Sequence, residues 1–162
     1  MSIHSAGIML YRFIDQQLEV MLVHPGGPYW VNKDLGTWSI PKGLIEENEP
    51  PLEAAKREFK EETSFEVNGD FIELGVLKQP SKKIVHAWAL EKNLDTGKII
   101  SNTFELEWPK YSGQIKEYPE VDRGAWFGID EAKLKISKGQ VKFIDILVKN
   151  ISFGSCDENK QN

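Results

Sequence analysis

Two apolar runs open the chain, residues 5–13 (SAGIMLYRF) and 18–24 (LEVMLVH), joined by the polar IDQQ. That pattern predicts two strands and a turn. The glycine- and proline-rich PGGPYWVNKDLG reads as a loop and is followed by a short TWSIP segment. After a second loop, from Lys42 to Asn48, Leu52, Ala55 and Phe59 recur at helical spacing. Pro50 and Pro51 suit the first turn of that helix, where a missing N–H costs little. Further strands are predicted over 71–78 (FIELGVLK), 84–91 (IVHAWALE) and 121–127 (VDRGAWF). The stretch 99–118 has aromatic and apolar residues without a clean period. A short helix is predicted at 130–136 and a C-terminal one at 139–150, where Val141, Ile144 and Val148 share one side. Residues 152–162 read as a polar tail. Strands and helices mix without regular alternation, so the expected class is α+β, a mixed sheet with helices packed on it.

At 162 residues the chain is read as one domain, residues 1–151, large enough to bury a core. No run of 18 apolar residues marks a membrane span, and MSIHSAGIMLYRF lacks the basic-then-apolar plan of a signal peptide. The single cysteine, Cys156, excludes an internal disulfide and a cysteine-based zinc site. A cytoplasmic protein is the expectation, with no membrane partner. The net charge of −5 argues against nonspecific nucleic-acid binding. It still permits a polyanionic substrate, provided metal ions and local lysines offset the charge.

The segment 43–65, GLIEENEPPLEAAKREFKEETSF, crowds seven glutamates around one helix. At about 100° per residue, Glu58, Glu61 and Glu62 share roughly a quarter of the helix circumference, beside the apolar stripe. Like charges at i and i+4 repel by a few tenths of a kcal/mol per pair. Arg57 relieves only part of that. A charged helix face is ordinarily a solvated one. Three convergent carboxylates also suit Mg²⁺ or Mn²⁺, ions that take oxygen ligands and commonly share them with phosphate.

The larger pattern resembles the Nudix hydrolase box, G-x5-E-x7-R-E-U-x-E-E-x-G-U, with U a bulky apolar residue. Gly43, Glu49, Arg57, Glu58, Phe59, Glu61, Glu62 and Phe65 fall at its spacing. Ser64 stands where the family has glycine, at a helix end that favours the left-handed conformation; there serine costs about 1 kcal/mol or shifts the end. The resemblance implies a Nudix fold, a mixed sheet sandwiched between α-helices, and hydrolysis of a nucleoside diphosphate linked to another group X. It implies that Glu58, Glu61 and Glu62 ligate divalent metal, with the Gly43 carbonyl as a further ligand. Arg57 and Glu49 would pair to fix loop against helix, and Glu61 or Glu62 would serve as the metal-linked base. Glu120, six residues before Trp126, resembles the family's E…W segment. It is read as a base or an extra ligand, against the alternative of a surface glutamate at a strand entry.

The WSIPKG entrance to the box resembles the diadenosine polyphosphate and diphosphoinositol polyphosphate branches, in which Lys42 would meet a long phosphate chain. Aromatic residues in loops could hold bases. Tyr29 and Trp38 are the candidates chosen, among Trp30, Trp108, Tyr111 and Tyr118; Trp88 and Trp126 read as core. His4, His24 and His86 form no metal-spaced set. The expected function is a Mg²⁺-dependent pyrophosphohydrolase of a dinucleoside polyphosphate such as diadenosine tetraphosphate. The alternatives are a nucleoside triphosphate or ADP-ribose pyrophosphatase, or a Nudix domain that binds a nucleotide without cutting it. The sequence leaves the oligomeric state open.

Overall fold

The computed structural model describes the backbone of residues 3–161 and the side chains of residues 3–152. Strands β1 (Ile3–Ile14) and β2 (Gln17–Pro25) form the opening hairpin, and β3 (Lys42–Leu44) adds to β1 antiparallel. Helix α1 (Pro51–Thr63) leads to β4 (Ile72–Lys78) and β5 (Lys83–Glu91). A two-stranded excursion, β6 (Thr103–Glu107) and β7 (Ile115–Pro119), precedes β8 (Val121–Gly128). Helices α2 (Ile129–Lys135) and α3 (Val141–Gln161) close the chain. The main sheet runs β4-β5-β1-β2-β8, with β3 paired to β1. Among the described strand pairs of this sheet, β1–β5 is parallel and the others are antiparallel, so the sheet is mixed.

The two opening runs are continuously apolar because both faces of the sheet are covered. Ile8, Leu10, Met21 and Val23 pack with Ala54, Ala55 and Phe59 of α1 on one side. Met9, Tyr11, Val20 and Leu22 pack with Phe143, Ile144 and Leu147 of α3 on the other. The sheet therefore lies between helices, the expected Nudix arrangement.

Three segments depart from the sequence reading. The Lys42–Asn48 loop contains β3, whose pairing with β1 brings Gly43 opposite Ala6. The unassigned stretch 99–118 contains the β6–β7 hairpin, exposed along most of its length. Helix α3 runs on to Gln161, through most of the stretch read as a polar tail. No proline interrupts it, and a glycine costs only about 1 kcal/mol in a helix. The side chain of Cys156 lies outside the described residues. No helix among the described residues is long and apolar enough to cross a membrane.

Candidate active site

Helix α1 begins after Pro50, whose extended backbone (φ −62°, ψ 139°) fits the residue preceding a first-turn proline. It ends at Ser64, which adopts the left-handed conformation (φ 70°) and donates its N–H to the Lys60 carbonyl. The serine thus keeps the turn that glycine would make. Its hydroxyl donates to the Ile100 carbonyl and offsets part of the strain.

The segment after that contact builds the other rim of the site. Asn102 N–H donates to the Glu61 carbonyl (2.8 Å), and the Asn102 carbonyl accepts from Glu120 N–H (2.9 Å). The Glu120 carbonyl in turn accepts from Gly26 N–H (2.9 Å). One strand of backbone bonds therefore ties the end of α1, Glu120 and the start of the Gly26–Thr37 loop together.

Arg57 organises the base of the helix. Its guanidinium grips Glu49 with two bonds, Nε to Oε2 (2.8 Å) and Nη2 to Oε1 (3.0 Å). Nη1 reaches Glu58 at 2.8 Å and Glu61 at 3.2 Å, and Nη2 also donates to the Leu44 carbonyl (2.9 Å). Glu49 accepts a further bond from Glu46 N–H, and these bonds, above all those from Arg57, hold its carboxyl below the usual range. Glu58 fills the space over Gly43: a Cβ added there would lie 2.0 Å from its carboxyl group.

Glu62, one turn on, has no such cation. It accepts a single bond, from Lys42 N–H at 3.3 Å. Desolvation and then the Glu58 charge push its carboxyl up to about 8, with Glu120 adding to the effect. Glu58 is also held above the ordinary range, by desolvation first. Glu62, Glu120, Lys42 and Ser39 line a cavity of about 260 Å³. It adjoins a second, of about 560 Å³, through Lys42, Thr37 and Ser39, with Trp30, Gln79 and Lys83 on the far wall. Lys42 forms no ion pair among the described residues. Desolvation lowers its ammonium pKa, partly countered by Glu62 and then reinforced by Lys83.

The structure thus gathers Gly43, Glu49, Arg57, Glu58 and Glu61 at one end of α1, and Glu62, Glu120 and Lys42 at the cleft. Among the described residues, no three acidic, histidine or cysteine side chains converge as a ready ion site, since Arg57 draws Glu58 and Glu61 toward itself. The donor set nevertheless fits a hard divalent cation. It consists of oxygens alone, and a cation beside Glu58 and Glu62 would offset both the desolvation and the repulsion that raise their pKa values.

Trp38 corrects the sequence reading. Chosen there as a base clamp, it is a core residue, 3% exposed, edge-on to Phe127 and to His24, with its indole N–H on Asp34. A ring so covered has no free face for a base. Tyr29 remains exposed, edge-on to Trp30 with the Lys33 ammonium 3.7 Å from its centroid. Sequence reasoning missed His24, which is buried between that loop and β8; its bonding partner Asp122 stands 98 residues away.

Comparison with known proteins agrees with this geometry. The profile of the NUDIX domain matches residues 3–146. The chain belongs to that family, whose hydrolases act on phosphoric anhydride bonds and generally use divalent metals. No curated protein matches the chain in sequence. Among solved structures, the NUDIX domain of Shewanella oneidensis NrtR, complexed with ADP ribose, superposes with a TM-score of 0.65 at 16% identity, over 93% of this chain and 89% of that one. A mutT/nudix family protein from Listeria innocua gives 0.62 at 20% identity, covering 95% and 96%. The C. elegans Ap4A hydrolase in a binary complex gives 0.61 at 18% identity, covering 93% and 98%. At these identities the likeness is one of fold.

Proposed function

We propose that this protein is a divalent-metal-dependent pyrophosphohydrolase that cleaves a nucleoside diphosphate linked to X, where the whole substrate is a dinucleoside polyphosphate such as diadenosine tetraphosphate. The observation that carries the substrate class is Lys42. It is a half-buried cation that forms no ion pair among the described residues, standing where the cavity of Glu62 and Glu120 opens into the larger one that Lys83 also lines. A phosphate chain running between the two would satisfy both lysines.

In this reading Glu58, Glu61 and Glu62, with the Gly43 carbonyl, would hold Mg²⁺ or Mn²⁺. Such an ion neutralises the diphosphate and makes a bound water more acidic. Arg57 and Glu49 keep α1 and the Leu44 loop in register, so that Glu58 stays over Gly43. Glu62 and Glu120, the two carboxylates that face the cleft, are the candidates to take a proton from the attacking water. Tyr29 offers one exposed ring for a base. The structural relatives, a C. elegans Ap4A hydrolase and a NUDIX domain complexed with ADP ribose, support a ligand of the nucleoside–phosphate class.

The test is a panel of nucleoside triphosphates, ADP-ribose and dinucleoside polyphosphates of increasing chain length, offered with Mg²⁺ in oxygen-18 water. The expected result is cleavage of the dinucleoside polyphosphates, with label in one product phosphate. Lys42→Ala should raise KM most for the longest chains, by about 10-fold for a lost charge-assisted contact. Equal effects on short and long substrates would remove the argument from Lys42.

A further inference from the structure

His24, near the end of β2, is fully buried, and the proposed chemistry makes no use of it. Its Nδ1 lies 3.0 and 3.1 Å from the two carboxylate oxygens of Asp122. Its Nε2 lies 2.6 Å from the Lys33 carbonyl oxygen. An ionised carboxylate and a carbonyl can only accept. A neutral imidazole carries one N–H and makes one of these bonds, whereas the imidazolium makes both. The charged groups around the ring are Asp122 and Arg123 of β8, the latter 3.4 Å from Asp122 and over the Trp38 ring. Trp38 packs edge-on to the imidazole, and beyond it stand Asp34 and its partner Lys135. The Lys33 ammonium is directed away, over Tyr29.

The bond matters because of what hangs from it. The Gly26–Thr37 loop lines the smaller cavity through Thr37 and the larger one through Trp30, Gly36 and Thr37. Its ends are tied down, Gly26 N–H to the Glu120 carbonyl and Gly36 N–H to the Leu134 carbonyl. Between them, Trp30 and Lys33 make turn bonds inside the loop. Among the described residues, the contact of the Lys33 carbonyl with His24 is the one hydrogen bond joining residues 28–33 to the protein outside the Gly26–Thr37 loop.

We propose that doubly protonated His24 is a positioning residue, a latch that sets the Tyr29–Trp30–Lys33 turn against the cleft through the Lys33 carbonyl. When one proton leaves, the charge-assisted bond to Asp122 retains the other on Nδ1. The bare Nε2 then faces a carbonyl lone pair, and the turn is released. The relevance to substrate rests on the proposed function, but the latch is a property of the free protein.

The test follows His24 ring nitrogens by nitrogen-15 NMR and amide exchange of residues 29–33 across the same pH series, in the metal-free full chain. Exchange, corrected for its intrinsic pH dependence, should rise about 10-fold in step with loss of the second ring proton, the effect of one lost hydrogen bond to a charged group. Asp122→Asn, altered at a partly exposed position, should move both midpoints together to lower pH. Lys33→Ala keeps the carbonyl and should move neither. Exchange that stays flat through the titration, or Asp122→Asn moving one midpoint without the other, overturns the latch. An uncut nucleotide panel would sink the proposed function and leave this readout intact.

Discussion

Arg57 and the cleft rim gather two groups of carboxylates around helix α1, and their surroundings differ. At Arg57, Glu49, Glu58 and Glu61 all contact one guanidinium at 2.8 to 3.2 Å. One turn away, Glu62 has a single backbone N–H and a raised pKa, and Glu120 faces it across the same cavity. The carboxylates at Arg57 are partnered within the chain and hold its shape. Among the described residues those at the rim form no ion pair, the nearby Lys42 offsetting only part of their charge, which leaves them available to a cation from outside. Glu58 belongs to both groups, bonded to Arg57 yet held up by burial.

Substituting Gly43 should break the comparison most sharply. Gly43→Ala puts a methyl 2.0 Å from the Glu58 carboxyl and pushes it off both Gly43 and the rim. Turnover should fall by about 100-fold or more, as for other misplaced catalytic groups, while overpacking costs about 1–3 kcal/mol. Steady-state kinetics beside denaturant unfolding separates the two effects. Arg57→Ala should reverse the balance toward stability. It strands Glu49, only 16% exposed, without its bidentate partner, at a cost of about 2 kcal/mol in chemical denaturation. The smallest effect belongs to Ser64, outside both groups. Ser64→Ala loses the hydroxyl bond and keeps the left-handed strain, whereas Ser64→Gly loses the bond and relieves it. The glycine variant should be the more stable by about 1 kcal/mol, with turnover unchanged in both.

The Arg57 group was legible in the sequence because its spacing lies within one short segment. The central strands were legible as apolar runs, since burial on both faces leaves no polar alternation to misread. The hairpin at β6–β7 gave no clear period because its apolar residues Phe104, Leu106 and Tyr118 are only partly buried and belong to neither core cluster. Trp38 was misassigned for the opposite reason. Its neighbours look like a loop, but bridges from Ser39 to Val23 and from Trp38 to Ile136 draw the ring inside. The His24 contact could not be read at all, because Asp122 and the Lys33 carbonyl meet it only through the fold.

The most direct measurement is the thermal midpoint of metal-free protein across pH, repeated with saturating Mn²⁺. Glu62 rises from 4.5 in the unfolded chain to about 8 when folded. Between those values the unfolded chain has released a proton that the folded one retains, so stability falls as pH increases. The expected result is a declining midpoint across that window, abolished by Mn²⁺ and flattened in Glu62→Gln. If Mn²⁺ leaves the wild-type profile unchanged, or shifts Glu62→Gln equally, the rim is not where the metal binds.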